Sequence, residues 1–201
     1  MKRCRDEPHI LPAVVSQETY SNADNEALVA LPRENSLKAA MRRLRNRDQP
    51  RLPRSLEDME NIPDEYQLID GDRWLLHDSG NEEGRFLIFG MSSTIEAMSR
   101  SDMWFLDGTF KSRPLLFAQL YVIHYRCDDH VIPGLFVLME NKREQLYTSV
   151  FETIRGRMPG DARGGPEYFS VDFELASTNA FKSVFPRATE SFCFFHFAQS
   201  L

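Results

Sequence analysis

Two aspartates sit where a charge is costly unless something compensates it. Asp107 follows Trp104-Phe105-Leu106, and Asp172 follows Phe169-Ser170-Val171. A carboxylate inside an apolar, strand-like run needs a cation, a donor or a bound ion. Two such carboxylates on neighbouring strands form an oxygen site for a hard divalent ion. Mg²⁺ keeps several waters and needs only one or two protein carboxylates. Metals held in this way activate a water or hydroxyl and stabilise the leaving oxygen in phosphodiester cleavage. The competing reading, for either aspartate alone, is a strand end that starts a turn.

Two further groups have spacings that carry chemistry. Cys193 and His196 form a Cys-x-x-His pair, half of a zinc site by spacing. His124-x-x-Cys127 would be the other half, but residues three apart in a strand point to opposite faces. A zinc site is therefore not expected, and the plain alternative is a buried cysteine and a hydrogen-bonded histidine. The other group is basic. Between Arg33 and Arg54 there are eight basic and two acidic residues, net +6, which leaves −12 for the rest of a chain whose total is −6. Lys38, Arg42, Arg43, Arg45 and Arg47 in this stretch, and Lys111 beyond Asp107, are candidates for contact with phosphates, which such side chains neutralise without reading sequence. A solvated helix face, or a nuclear localisation signal in Met41-Arg42-Arg43-Leu44-Arg45-Asn46-Arg47, is the alternative.

The elements that must position these residues follow from periodicity. Residues 1–34 show no sustained period and contain Pro8, Pro12 and Pro32, so disorder is expected. Residues 35–65 read as a basic helix and linker. Ser36 is a plausible cap, Leu37, Met41 and Leu44 form one stripe, and Pro50 and Pro53 end the pattern. Residues 66–102 read as a small strand and helix region. Tyr66–Asp70 and Arg73–His77 flank the hairpin signal Asp70-Gly71, Arg85–Phe89 is a third strand, and Ser92 or Ser93 starts a helix through Met98. From Met103 the apolar runs lengthen. Strands are expected through Asp107, at 117–126 and at 131–140, with Pro133 marking a strand start or an edge. A helix at 143–158 with Leu146, Val150, Phe151 and Ile154 on one face comes next. A strand at 167–175, a short helix and a strand at 191–197 complete the order β-β-β-α-β-α-β.

The segments WFLDGTFK, FAQLYVIHY, VDFELASTNAF and CFFHF together resemble the transposase domain of Mutator-like elements (MULE). The resemblance covers about 103–201, and more loosely 33–102. It implies an α/β, RNase H-like mixed sheet in which the first and fourth strands are neighbours, here with a small N-terminal strand and helix extension. It implies a DDE active site using Mg²⁺ or Mn²⁺, with Asp107 and Asp172 as catalytic and metal-binding residues, and Cys193 and His196 as the motif that follows the second aspartate. The family's third carboxylate is a Glu on a helix well past that motif, so this chain, ending at Leu201, is expected to stop before the catalytic helix. Glu174 lies two residues from Asp172 and would share its strand face. It is not taken as a substitute, because the family has this Glu and uses another.

Composition bounds the rest. Three widely spaced cysteines indicate no disulfide framework, and a reducing compartment is expected. The N-terminus has no uninterrupted apolar run and the chain no 18-residue one, so neither a signal peptide nor a membrane span is expected. Two classes of function follow. One is a transposase-derived, DNA-directed metal enzyme of the nucleus, inactive without its third carboxylate. The other is a non-catalytic DNA-binding or interaction module adopted from a transposon. The oligomeric state is not legible.

Overall fold

The computed structural model describes residues 6–7, 10–47, 53–59, 61–80, 84–109, 113–160, 164–171 and 174–191. The chain divides into two compact units, 1–52 and 53–201.

Among the described residues the first unit includes the helices α1 (Pro12–Ser21), α2 (Asn25–Ala30) and α3 (Glu34–Arg47). Pro12 opens α1, where its missing N–H costs nothing. Asp24 caps α2 by accepting from the Ala27 N–H at 2.8 Å. Val15 of α1 packs on Leu37 and Met41 of α3, with Ile10 and Tyr20 at the margin. Helices thus occupy part of the stretch where disorder is expected from sequence. The buried residues of α1 are only Val15 and Ser16, so its single contact point leaves no period to read. Ser36 lies inside α3, which starts two residues earlier.

In the second unit, a 3₁₀ turn (Glu57–Met59) and a short helix α4 (Asp64–Gln67) precede a small hairpin, β1 (Leu68–Ile69) and β2 (Asp72–Arg73). Asp70 (φ 52°) and Gly71 (φ 89°) both take the left-handed conformation that such a two-residue turn requires. The arms are shorter than expected, because Tyr66 belongs to α4.

Among the described residues the main sheet has seven strands, in the order β3-β4-β7-β6-β5-β8-β9. These are β3 (Leu75–Asp78), β4 (Phe86–Phe89), β5 (Met103–Thr109), β6 (Gln119–Cys127), β7 (His130–Met139), β8 (Tyr168–Val171) and β9 (Thr189–Glu190). Antiparallel pairing runs from β3 to β5, and β5-β8 and β8-β9 are parallel. From β5 onward, with α6 (Glu144–Gly156) and α7 (Leu175–Val184), the described order is β-β-β-α-β-α-β; its last strand is β9, while the strand expected at 191–197 falls, beyond Ser191, outside the described residues. Within residues 66–102, β1 and β2 form their own two-stranded sheet, whereas β3 and β4 belong to the main one. Phe86–Phe89 pair with β7 from Met139 to Phe136, so β3 and β4 continue the same sheet.

Pro133 lies inside β7 and not at its start, but in the stretch before Phe136 where β6 pairs and β4 does not, so the edge reading holds locally. The pairing shifts there, with Ile123 opposite Leu135 and His124 opposite Pro133, leaving Gly134 as the extra residue of a bulge. A Cβ on Gly134 would lie 2.8 Å from Met98 Sδ and 3.0 Å from Tyr125 Cδ1, which excludes larger residues.

One face of the sheet is covered by α5 (Ser92–Arg100), α6 and α7. Ile95 and Met98, then Leu146, Tyr147, Val150, Phe151 and Ile154, then Phe181 and Val184 pack on Trp104, Leu106, Tyr121, Ile123 and Val137. Trp104 is fully buried and donates its Nε1–H to the Met98 carbonyl at 3.1 Å. On the opposite face Leu56, Met59 and Ile62 pack against Leu75, Leu87 and Phe117. Among the described residues no helix is long and apolar enough to cross a membrane.

His77 of β3 stacks near Phe86, with ring centroids 5.1 Å apart. Burial, and next the charge of Arg157, hold its pKa below the usual value, while Asp78 opposes them. The neutral ring is therefore the form the fold favours. That contribution is complete above the unfolded value of about 6.5 and is lost as pH falls through the lowered folded one. The fall in Tm between neutral and mildly acidic buffer should be smaller in His77→Gln than in wild type.

Candidate functional site

Asp107 is the fifth residue of β5, whose side chains alternate between the faces of the sheet. Trp104 and Leu106 point into the helix-covered core, so Phe105 and Asp107 point to the other face, where both are half-buried. On β6, Val122 lies opposite Asp107 and His124 opposite Phe105. Burial lowers the His124 pKa, and the negative charge of Asp107 and a hydrogen bond to the Phe105 backbone act against that lowering. Among the described residues no cation or donor pairs with the Asp107 carboxylate.

β8 lies parallel to β5, with Met103 opposite Tyr168 and Leu106 opposite Val171. In the sequence each member of that last pair is followed directly by an aspartate, Asp107 and Asp172. Asp172 itself lies outside the described residues, as do Lys111, Cys193 and His196. Among the described residues no group of three His, Cys, Asp or Glu side chains is placed to hold a metal ion.

Residues 103–200, just under half of the chain, match the family model of the MULE transposase domain. This segment belongs to the MULE transposase domain family. No curated protein matches the chain.

Within the MULE segment, the covered side of β5 holds a group that periodicity does not reveal. A Cβ on Gly108 would lie 3.1 Å from Gln119 Oε1 and 3.8 Å from Glu174 Oε2. Glu174 is not a strand residue sharing a face with Asp172. It is the residue before α7, with its other oxygen paired to Lys142 Nζ at 3.3 Å. The sequence from Leu175 forms a helix, which ends the strand sooner than its apolar pattern implies. Glu174 therefore reaches over Gly108 on the side of β5 away from Asp107. Gln119 is fully buried and donates to the Tyr147 hydroxyl at 2.5 Å, while its Oε1 has no hydrogen-bond partner. Gln119, Lys142 and Glu174 are the residues around Gly108 that sequence reasoning did not single out as a group. Their signal is the glycine beside the aspartate. Gly108→Ala should cost about 1–3 kcal/mol, as overpacking does, measured by urea unfolding. An unchanged midpoint would mean that Gln119 and Glu174 yield freely.

The basic residues lie in the first unit. Arg45 is turned inward and donates to the Ile10 and Glu7 carbonyls at 2.6 and 3.2 Å. Lys38 pairs with Glu34 at 2.6 Å. Arg42, Arg43 and Arg47 are exposed.

Proposed function

We propose that the MULE segment is an RNase H-like domain that acts on DNA through a DDE-type metal site, with Asp107 and Asp172 as two of its carboxylates. The observation that carries this reading is the parallel pairing of β5 and β8, whose last described pair is Leu106 and Val171, each one residue before an aspartate in the sequence. The first and fourth strands of the segment are neighbours, as that fold requires. The donor chemistry also fits, since a half-buried carboxylate without a protein partner suits a hard ion with oxygen ligands. Mg²⁺ or Mn²⁺ held by Asp107 and Asp172 would supply charge neutralisation at the phosphate and an acidified water. The protein's own part is positioning: β5 holds Asp107 rigidly, and Trp104 and Leu106 anchor that strand in the core.

Glu174, tied to Lys142 on the other side of β5, does not serve as the third carboxylate. The protein is proposed to bind the ion at this site as a transposase-derived protein that works in the nucleus. Mn²⁺ binding by titration calorimetry tests the site. Wild type should bind, and Asp107→Asn and Asp172→Asn should each abolish the heat. Equal binding by either variant would remove that residue from the site. Mg²⁺-dependent nicking of duplex DNA by the purified protein, lost in Asp107→Asn, would show that the site also cuts.

A further inference from the structure

The five basic residues of α3 have different roles, and the division points to a second surface. We infer that the exposed arginine face of α3, Arg42 and Arg43 with Arg47 beside them, is a docking surface for the phosphate backbone of duplex DNA. The inference rests on the DNA-directed reading above for its choice of partner, but uses none of the residues of the metal site.

The helix presents this face rigidly. Leu37 and Met41 are buried against Val15, and Arg45 reaches back to two carbonyls of the segment before α1. Lys38 is occupied by Glu34. Among the described residues no carboxylate pairs with Arg42 or Arg43, and Arg43 contacts only the Ala39 carbonyl of its own helix, at 3.4 Å.

The arrangement also works against the helix that carries it. Lys38 and Arg42 are like charges four residues apart, a pair that costs an isolated helix about 0.2–0.5 kcal/mol. An external polyanion turns this repulsion into attraction. Charge is partitioned to match. Residues 1–52 carry ten basic and seven acidic side chains, net +3, and the rest of the chain, out of a total of −6, carries −9. A DNA duplex is therefore repelled by the net charge of the MULE-containing unit and attracted to the small helical one, where each neutralised phosphate releases counterions.

The test is binding of the full chain to a labelled mixed-sequence duplex in EDTA, followed by anisotropy from about 50 to about 200 mM salt. Wild type should bind with a negative log–log slope. Arg42→Gln/Arg43→Gln should flatten that slope by about 2 and keep or raise Tm, since the repulsion between Lys38 and Arg42 is gone. Arg45→Gln should lower Tm and keep the slope, because Arg45 is used inside the unit. Arg100→Gln, which removes an exposed arginine of the second unit that pairs with Glu96, should keep the wild-type slope, and in EDTA the assay reads α3 even if the metal reading fails. An unchanged slope in the double variant overturns the inference. So does equally tight binding of polyglutamate, which would assign the face to an acidic protein.

Discussion

Asp107→Asn is expected to weaken Mn²⁺ binding by far more than tenfold and to leave the fold as stable as wild type, or more stable, in EDTA. The first effect follows from chemistry. Loss of a group that merely supports a metal ligand already costs about 10–100-fold in affinity, and Asp107 is proposed as a ligand itself. An amide has the shape of the carboxylate but no charge to offer a hard cation. The second effect follows from the setting. Asp107 is half-buried between Phe105 and the β6 residues Val122 and His124, and among the described residues no cation or donor compensates it. A neutral amide is less costly to bury than a charge. Thermal melts with and without Mn²⁺ would report both effects. Wild type should gain Tm on adding the ion and the variant should not. If Asp107→Asn melts well below wild type in EDTA, the residue is structural and the site reading loses its main support.

The part of the fold that sequence makes legible is the part built from long amphipathic runs. β5, β6, β7 and α6 bury alternating or helically spaced residues against one core, so their periods survive in the sequence. Three features do not survive. β3 and β4 are four residues each, too short for a period to say which sheet they join. Pro133 signals an edge, but that β4 is the neighbour β7 lacks there, while β6 still pairs, is set by a register no local pattern shows. Glu174 is read as a strand residue because apolar alternation continues past Val171, whereas the helix starting at Leu175 takes it out of the sheet. At the site, the carboxylate of β5 is legible because charge within an apolar run is rare. Its surroundings are not. Gln119, Lys142 and Glu174 come together only through pairing of strands distant in sequence, and Arg45 differs from Arg42 and Arg43 only by the side of α3 that it occupies.

The largest stability effect is expected from a residue that no motif marks. Arg85 is 2% exposed, and its guanidinium grips Asp78 with two bonds, Nε to Oδ1 at 3.0 Å and Nη2 to Oδ2 at 2.7 Å. The same fork donates to the Leu56 carbonyl at 2.8 Å and the Met59 carbonyl at 2.7 Å. It thus joins β3 and β4 to the turn whose Leu56 and Met59 cover the second face of the sheet. Arg85→Met should cost about 3–5 kcal/mol, because the loss of one partner strands a partly buried carboxylate. For a unit of this size that lowers Tm by roughly 10 °C. Arg85→Lys should not restore it, since an ammonium cannot form the planar fork. The double variant Arg85→Met/Asp78→Leu separates the two contributions. It removes the stranded charge but leaves the Leu56 and Met59 carbonyls without their donor, at about 1–3 kcal/mol for each one that water cannot reach. Recovery should therefore be partial. Full recovery would mean that Arg85 serves only to neutralise Asp78. No recovery would mean that the two carbonyls account for its stabilisation, and that Arg85 is chiefly the clasp of the Leu56–Met59 turn.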